Sequence, residues 1–229
     1  MDEFKKPSYP YPIFASIEGN IGSGKSTLLS NLKNHFKNDN RIVFIKEPVD
    51  EWAKIRDSQG STMLEKFYQD QSKYAFSFQM MAYISRLSTF KTAISENPQA
   101  TIFITERSLD TDKYVFARML FDDFKIEDVN YQIYNTWFEL FANEYPIHKI
   151  IYVKTDPEIC YERISKRSRT GEDCIPIDYL KKCDYYHDDM MSTKYKNHQN
   201  ILIDGNVDIY TDETILKTWL QAIEHIIFN

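Results

Sequence analysis

Residues Gly19-Asn20-Ile21-Gly22-Ser23-Gly24-Lys25-Ser26 fit G-x-x-x-x-G-K-[ST] at every fixed position. The segment before them, Ile13 to Ile17, is a short apolar run suited to a buried strand. The segment after, Thr27 to Leu32, opens an apolar helical period. A strand, a glycine loop and a helix in that order confine the chain to the α/β class. The loop's backbone N–H groups and the helix N-terminus make a cradle for phosphate. In such a cradle Lys25 reaches the β- and γ-phosphates, and the Ser26 hydroxyl sits on Mg²⁺. Gly19, Asn20, Ile21, Gly22, Ser23, Gly24, Lys25, Ser26 and Thr27 are thus the first candidate nucleotide-binding residues. Three of the chain's 6 glycines lie in this loop.

The 229 residues suit one domain over 1–229, with an extended N-terminal arm over 1–11. The formal charge of −6 excludes a general nucleic-acid surface, which needs a basic face, so any anion must be met by a local cation cluster. The 3 cysteines, Cys160, Cys174 and Cys183, have neither metal-ligand spacing nor an even count, and read as reduced thiols. No stretch has the apolar length of a membrane span. The first residues resemble neither a signal peptide nor an Arg-rich transit peptide. The expectation is a cytoplasmic protein with no membrane and no nucleic-acid polymer as partner.

Strand-like and helix-like segments alternate, which predicts a parallel sheet wrapped by helices. Strands are expected at 12–18, 41–46, 101–105, 148–154 and 200–204, each buried on both faces. Helices are expected at 25–38, 62–95, 108–123, 127–144, 156–168, 176–196 and 211–227. Ligands of such sheets gather beyond the carboxyl ends of the strands. The segments starting at Gly19, Glu47, Glu106 and Asp204 leave those ends.

Glu47 follows the second strand, where a carboxylate can take the proton of a hydroxyl attacking a γ-phosphate. It can equally be a solvated residue capping the next helix. Trp52, just beyond, fits either a core position or a wall for a planar substrate. Glu106-Arg107 ends the third strand, where P-loop enzymes place an acid for Mg²⁺; a plain ion pair is the other reading. Gln79, Ala82 and Arg86 share one helix face. With Phe78 they supply a ring and an amide suited to a nucleobase, although an aromatic stripe also suits a core. Arg163, Arg167 and Arg169 form the one dense basic run in an acidic chain. Over a phosphate loop, such arginines can close on transferring phosphate; a solvated basic helix face is the other reading.

Taken together, Gly19–Thr27, Glu47-Pro48-Val49 with Trp52, Phe78-Gln79, Glu106-Arg107-Ser108, and Arg167-Ser168-Arg169 with Glu172 and Ile175-Pro176 resemble the deoxyribonucleoside kinase family. The resemblance runs from about Ile13 to Asp208. It implies a P-loop kinase fold with a five-stranded parallel sheet and an Arg-rich lid at about 163–175. The reaction it implies moves the γ-phosphoryl of ATP or another NTP to the 5′-hydroxyl of a deoxynucleoside. By this similarity Glu47 is the general base, Arg107 holds that base and the 5′-oxygen, and Ser26 and Glu106 stand on the Mg²⁺ side. Tyr68 and Glu172 match the positions that hold the sugar 3′-hydroxyl. Phe78 and Gln79 match the base stack and base hydrogen bonds, with Phe116 and Trp52 as walls. Arg163, Arg167 and Arg169 match the lid, and Asp208 matches the loop that meets the donor's base. Ile209 departs from the pattern, standing where the deoxycytidine kinases have an aromatic.

Arg86 and Asp112 match a charged pair of the deoxycytidine and purine deoxynucleoside kinases, where thymidine-accepting members are apolar. The resemblance therefore implies deoxyadenosine, deoxyguanosine or deoxycytidine over thymidine, and a homodimer built through helices within 108–144. Two other readings are a nucleoside monophosphate kinase, which needs extra cations for the acceptor's phosphate, and a non-catalytic P-loop nucleotide-binding module.

Overall fold

The computed structural model describes residues 12–167, 171 and 175–229. Five parallel strands form one sheet: β1 (Ile13–Glu18), β2 (Ile42–Ile45), β3 (Ile102–Glu106), β4 (Lys149–Lys154) and β5 (Gln199–Asp204). Their spatial order is β2-β3-β1-β4-β5, and every pairing is parallel. Each strand lies within two residues of its expected span.

Alternation along the strands sends side chains to two faces. Ile13, Ala15, Ile17, Ile102, Ile104, Ile151 and Val153 pack on one face with Leu28, Leu29 and Leu32 of α1 (Lys25–His35) and with Ile223 and Ile227 of α10 (Glu213–Phe228). Phe14, Phe103, Ile150 and Tyr152 pack on the other. Their partners are Tyr83, Leu87 and Phe90 of α4 (Gln71–Glu96) and Tyr134 and Phe138 of α7 (Asp128–Phe141). Each of the Ile, Leu, Val and Phe side chains contributes about 1.5–3 kcal/mol by leaving water. The edge strand β5 departs from the two-sided burial expected of it. Only its Ile203 is buried and Leu202 is exposed, as befits the last strand of the sheet.

The helix expected over 62–95 is two helices. Thr62 and Glu65 form a reciprocal capping box that starts α3 (Met63–Gln69). Asp70 ends it at φ −148°, ψ 84°, and its side chain caps α4 by accepting from the Lys73 N–H. The apolar period runs through the break, so periodicity alone cannot reveal it. A single turn, α2 (Val49–Trp52), follows β2 and was not expected. The helix expected over 108–123 comprises α5 (Leu109–Thr111), a π-helical turn (Asp112–Ala117) and α6 (Arg118–Asp122). Such turns recur at functional sites. Here the turn carries both Asp112 and Phe116. The segment expected at 127–144 is α7 followed by a 3₁₀ turn, Ala142–Glu144. The remaining helices are α8 (Pro157–Arg167) and α9 (Ile177–Thr193).

β1 sits in the middle of the sheet with β3 beside it and β2 beyond. Their carboxyl ends therefore release the glycine loop, Glu106-Arg107 and Glu47 side by side. A third buried cluster, including Trp52, Phe67, Phe78, Met119, Tyr179 and Leu180, forms next to them.

Candidate active site

A cavity of about 740 Å³ opens above these strand ends. Its floor is the glycine loop. Gly22 sits at φ +80° and Gly24, the N-cap of α1, at φ +100°. A Cβ at Gly22 would stand 2.6 Å from the Cys160 carbonyl oxygen, so only glycine fits. Asn20 braces the loop: its Nδ2 donates to the Leu180 carbonyl at 2.9 Å and its Oδ1 accepts from the Ile21 N–H at 2.8 Å. Lys25 is buried and donates to the Asn20 carbonyl at 2.5 Å. Burial, reinforced by the Arg107 charge, lowers its pKa to about 7 against the pull of Glu106 and Glu47. The Ser26 hydroxyl donates to Glu106 Oε1.

Arg86, on α4, ties the strand ends together from beneath. Its Nε and Nη2 hold both oxygens of Asp112 at 2.8 and 3.2 Å, its Nη1 donates to the Glu106 carbonyl at 2.9 Å, and its Nη2 reaches Glu47 Oε1 at 2.9 Å. Arg107 Nε approaches the same Glu47 oxygen at 3.2 Å. Burial alone would raise the Glu47 pKa. The charges of Arg107, Arg86 and Lys25 outweigh it and hold the carboxyl at about 2. Glu47 is therefore an ionised carboxylate, 16% exposed, at the cavity surface.

Arg107 itself adopts φ +67°. For a residue with a Cβ this conformation costs on the order of 1–3 kcal/mol and persists only where the surroundings over-determine it. Here they do. Its N–H donates to the Ile17 carbonyl at 3.0 Å, its carbonyl accepts from the Thr105 hydroxyl at 2.7 Å, and its Nη1 donates to the Gly19 carbonyl at 2.8 Å. The guanidinium lies 5.0 Å from the centre of the Phe116 ring.

On the α4 side, Gln79 and Ala82 face the cavity with Arg86, as their spacing predicts. The Gln79 Oε1 is buried and has no hydrogen-bond partner among the described residues. Trp52, anchored by its Nε1–H to Ser85 Oγ at 2.7 Å, meets Phe78 edge to face. One face of Phe78 is stacked on Phe67, with centroids 4.5 Å apart. Phe116 is thus the less enclosed ring of the two. Tyr68, on α3, also lines the cavity. The break at Asp70 lets α3 turn toward it.

The family model described as deoxynucleoside kinase matches residues 15–228. The chain belongs to the deoxynucleoside kinase family. It is 36% identical over 214 residues to the probable deoxycytidine kinase of fowlpox virus, covering 91% of this chain and 85% of the relative. It is 31% identical over 225 residues to deoxycytidine kinase 2 of Gallus gallus, covering 86% and 84%. To the mitochondrial thymidine kinase 2 of Macaca fascicularis it is 31% identical over 178 residues, covering 76% and 63%. As a member of the family the protein is a phosphotransferase that uses a nucleotide donor and a deoxynucleoside acceptor. The monophosphate kinase and the non-catalytic module fall away.

Arg163, Arg167 and Asp208 line the cavity. Arg163 holds the loop after β5: its Nη1 donates to the Gly205 carbonyl at 2.8 Å and its Nη2 to the Val207 carbonyl at 3.4 Å. Of the lid expected at 163–175, Arg163 and Arg167 are the end of α8. Arg169 and Glu172 lie outside the described residues, as does the arm at 1–11. Among the described residues no group of three or more His, Cys, Asp or Glu side chains could hold a metal, and no helix is long and apolar enough to cross a membrane. Sequence reasoning missed two buried residues at the site. Glu18 accepts from the Ser16 hydroxyl at 2.6 Å and from the Thr111 hydroxyl just behind the loop. His187, on α9, touches Arg107. Neither lies in a recognisable motif, and no sequence signal marks them.

Proposed function

We propose that the enzyme transfers the γ-phosphoryl of ATP or another nucleoside triphosphate to the 5′-hydroxyl of a purine deoxynucleoside or deoxycytidine, in preference to thymidine. Glu47 accepts the hydroxyl proton as the 5′-oxygen bonds to the γ-phosphorus and the bond to the β-phosphate oxygen breaks. A carboxylate with a pKa near 2 is a weak base. The proton therefore moves late, once bonding to phosphorus has acidified the attacking oxygen, as a loose transition state requires. Arg107 orients Glu47 and the 5′-oxygen. Lys25 and the loop N–H groups carry the β- and γ-phosphates, Arg163, Arg167 and Arg169 close the lid over them, and Asp208 meets the donor's base. Tyr68 and Glu172 hold the 3′-hydroxyl.

Ser26 and Glu106 fit a Mg²⁺ site. They face each other beside the phosphate cradle, and Mg²⁺ binds through one or two protein oxygens plus phosphates and water. When bound there it would neutralise charge on the phosphate oxygens.

The Arg86–Asp112 pair, buried and fully engaged beside Gln79, carries the substrate reading. The Gln79 carbonyl oxygen, which has no partner among the described residues, can accept from the amino group of cytosine, adenine or guanine and equally from the N3–H of thymine, so it reads a base edge without excluding thymine. The 5-methyl of thymine would press against the buried ion pair, which is costly to desolvate. The fowlpox relative is named a probable deoxycytidine kinase, in line with this reading. Phe78, Trp52 and Phe116 wall the base. In a phosphoryl-transfer assay of purified protein across the four deoxynucleosides, thymidine should show kcat/KM at least about tenfold lower than the preferred substrate; equal use of thymidine would refute the preference.

A homodimer is part of the proposal. Val129, Ile133, Trp137 and Leu140 are all exposed. Spaced four, four and three apart on α7, they form one apolar stripe of the kind that a second copy covers.

A further inference from the structure

We propose that His187 is a positioning residue for catalysis, a buried acceptor that fixes the Arg107 guanidinium in its working orientation. The inference rests on the reading that Arg107 orients Glu47 and the 5′-oxygen. Two contacts define the histidine. Arg107 Nη1 lies 3.2 Å from His187 Nε2, and His187 Nδ1 lies 2.6 Å from the Cys183 carbonyl oxygen. A guanidinium can only donate and a carbonyl can only accept. Both contacts therefore demand one tautomer, neutral, with the proton on Nδ1 and a lone pair on Nε2. Burial, with the Arg107 charge beside it, holds the His187 pKa well below its ordinary value, so the lone pair persists across the neutral range.

Two aromatic rings pack around the buried imidazole. Tyr152 lies parallel to it at 6.5 Å, and the Phe116 edge meets it at 6.2 Å. Tyr152 is in turn fixed by donating to Asp188 at 2.7 Å, and Asp188 pairs with Lys154 at 2.6 Å. Arg107 needs this help. Its backbone is held in a strained conformation, and its Nη1 protons are divided between Gly19, at the start of the phosphate loop, and His187. Its Nε faces Glu47, and its Nη2 has no hydrogen-bond partner among the described residues. With Nη1 tethered at two points, the guanidinium cannot rotate about its long side chain, and Nε and Nη2 keep their aim at Glu47 and the cavity. The histidine thereby links α9 to the end of β3.

Two substitutions separate positioning from packing. Glutamine can place an acceptor where Nε2 stands. Asparagine can reach the Cys183 carbonyl but falls short of Arg107. His187→Gln should keep kcat within about threefold of the wild type. His187→Asn should lower kcat by about tenfold to a hundredfold, the cost of a misplaced reacting group, while the dissociation constant for the deoxynucleoside changes by less than about threefold. Wild-type kcat in the Asn variant, or equal loss in both variants, overturns the inference. Side-chain ¹⁵N NMR of the wild type gives an answer that needs no variant: Nε2 should be unprotonated, and a protonated Nε2 overturns the inference. Arg107→Lys separates this inference from the reading beneath it. Wild-type turnover in that variant removes the role given to Arg107. Lost turnover there, beside full turnover in His187→Asn, removes only the role given to His187.

Discussion

Lys25 is the residue proposed to meet the phosphates in an acidic protein, and its titration tests that role. Its pKa of about 7 in the free protein lies far below the ordinary 10.5, because burial strips the ammonium of water and Arg107 repels it. A lysine with a lowered pKa loses its proton as pH rises through that value. Arriving β- and γ-phosphates favour the charged form and restore it. At about pH 8 to 9, donor binding should therefore take up close to one proton, by linkage. Titration calorimetry in buffers of different ionisation enthalpy measures this, with Lys25→Met as the comparison. Uptake that is the same in both proteins would contradict the assignment. At this scale the sequence was most informative where chemistry demands a fixed spacing. The loop, Glu47, Glu106-Arg107 and the Gln79–Ala82–Arg86 face all line the cavity where the pattern places them. His187 and Glu18 were illegible because their partners, Arg107 and Thr111, are 80 and 93 residues away. No local period encodes such pairs.

At the scale of elements, local geometry positions these groups. The glycine loop depends on conformations that a side chain cannot share. Gly22→Ala would drive a Cβ toward the Cys160 carbonyl at a backbone angle of φ +80°. It should cost roughly 1–3 kcal/mol of stability and weaken nucleotide binding, read by thermal unfolding and by nucleotide titration. Unchanged nucleotide affinity would show that the loop is not the donor site. The α3–α4 break and the π-helical turn were not legible in the sequence, for a common reason. Both interrupt a run whose apolar spacing continues: Asp70 caps α4 by a local bond from the Lys73 N–H that apolar spacing does not register, and Asp112 is claimed by Arg86 of another helix. Each interruption also serves the site, since one turns α3 toward the cavity and the other presents Asp112 and Phe116 together. β5 shows the reverse case. Its composition is that of an interior strand, but its place at the sheet edge leaves it largely exposed.

Across the whole molecule, the α7 stripe and the cavity are separate surfaces with separate tests. If Val129, Ile133, Trp137 and Leu140 face a second copy, Trp137→Lys should convert a dimer to a monomer in sedimentation velocity, because an unpaired ammonium cannot be buried cheaply. A wild-type protein that sediments as a monomer would refute the dimer. Glu47 is the proposed proton acceptor at the junction of the two substrates, held ionised by Arg107 and Arg86. Rapid-quench single-turnover transfer from γ-labelled ATP by Glu47→Gln, with deoxynucleoside binding measured alongside, tests that claim most directly. The transfer step should slow by about 10²–10⁴-fold with the nucleoside dissociation constant nearly unchanged. Transfer at the wild-type rate would contradict it.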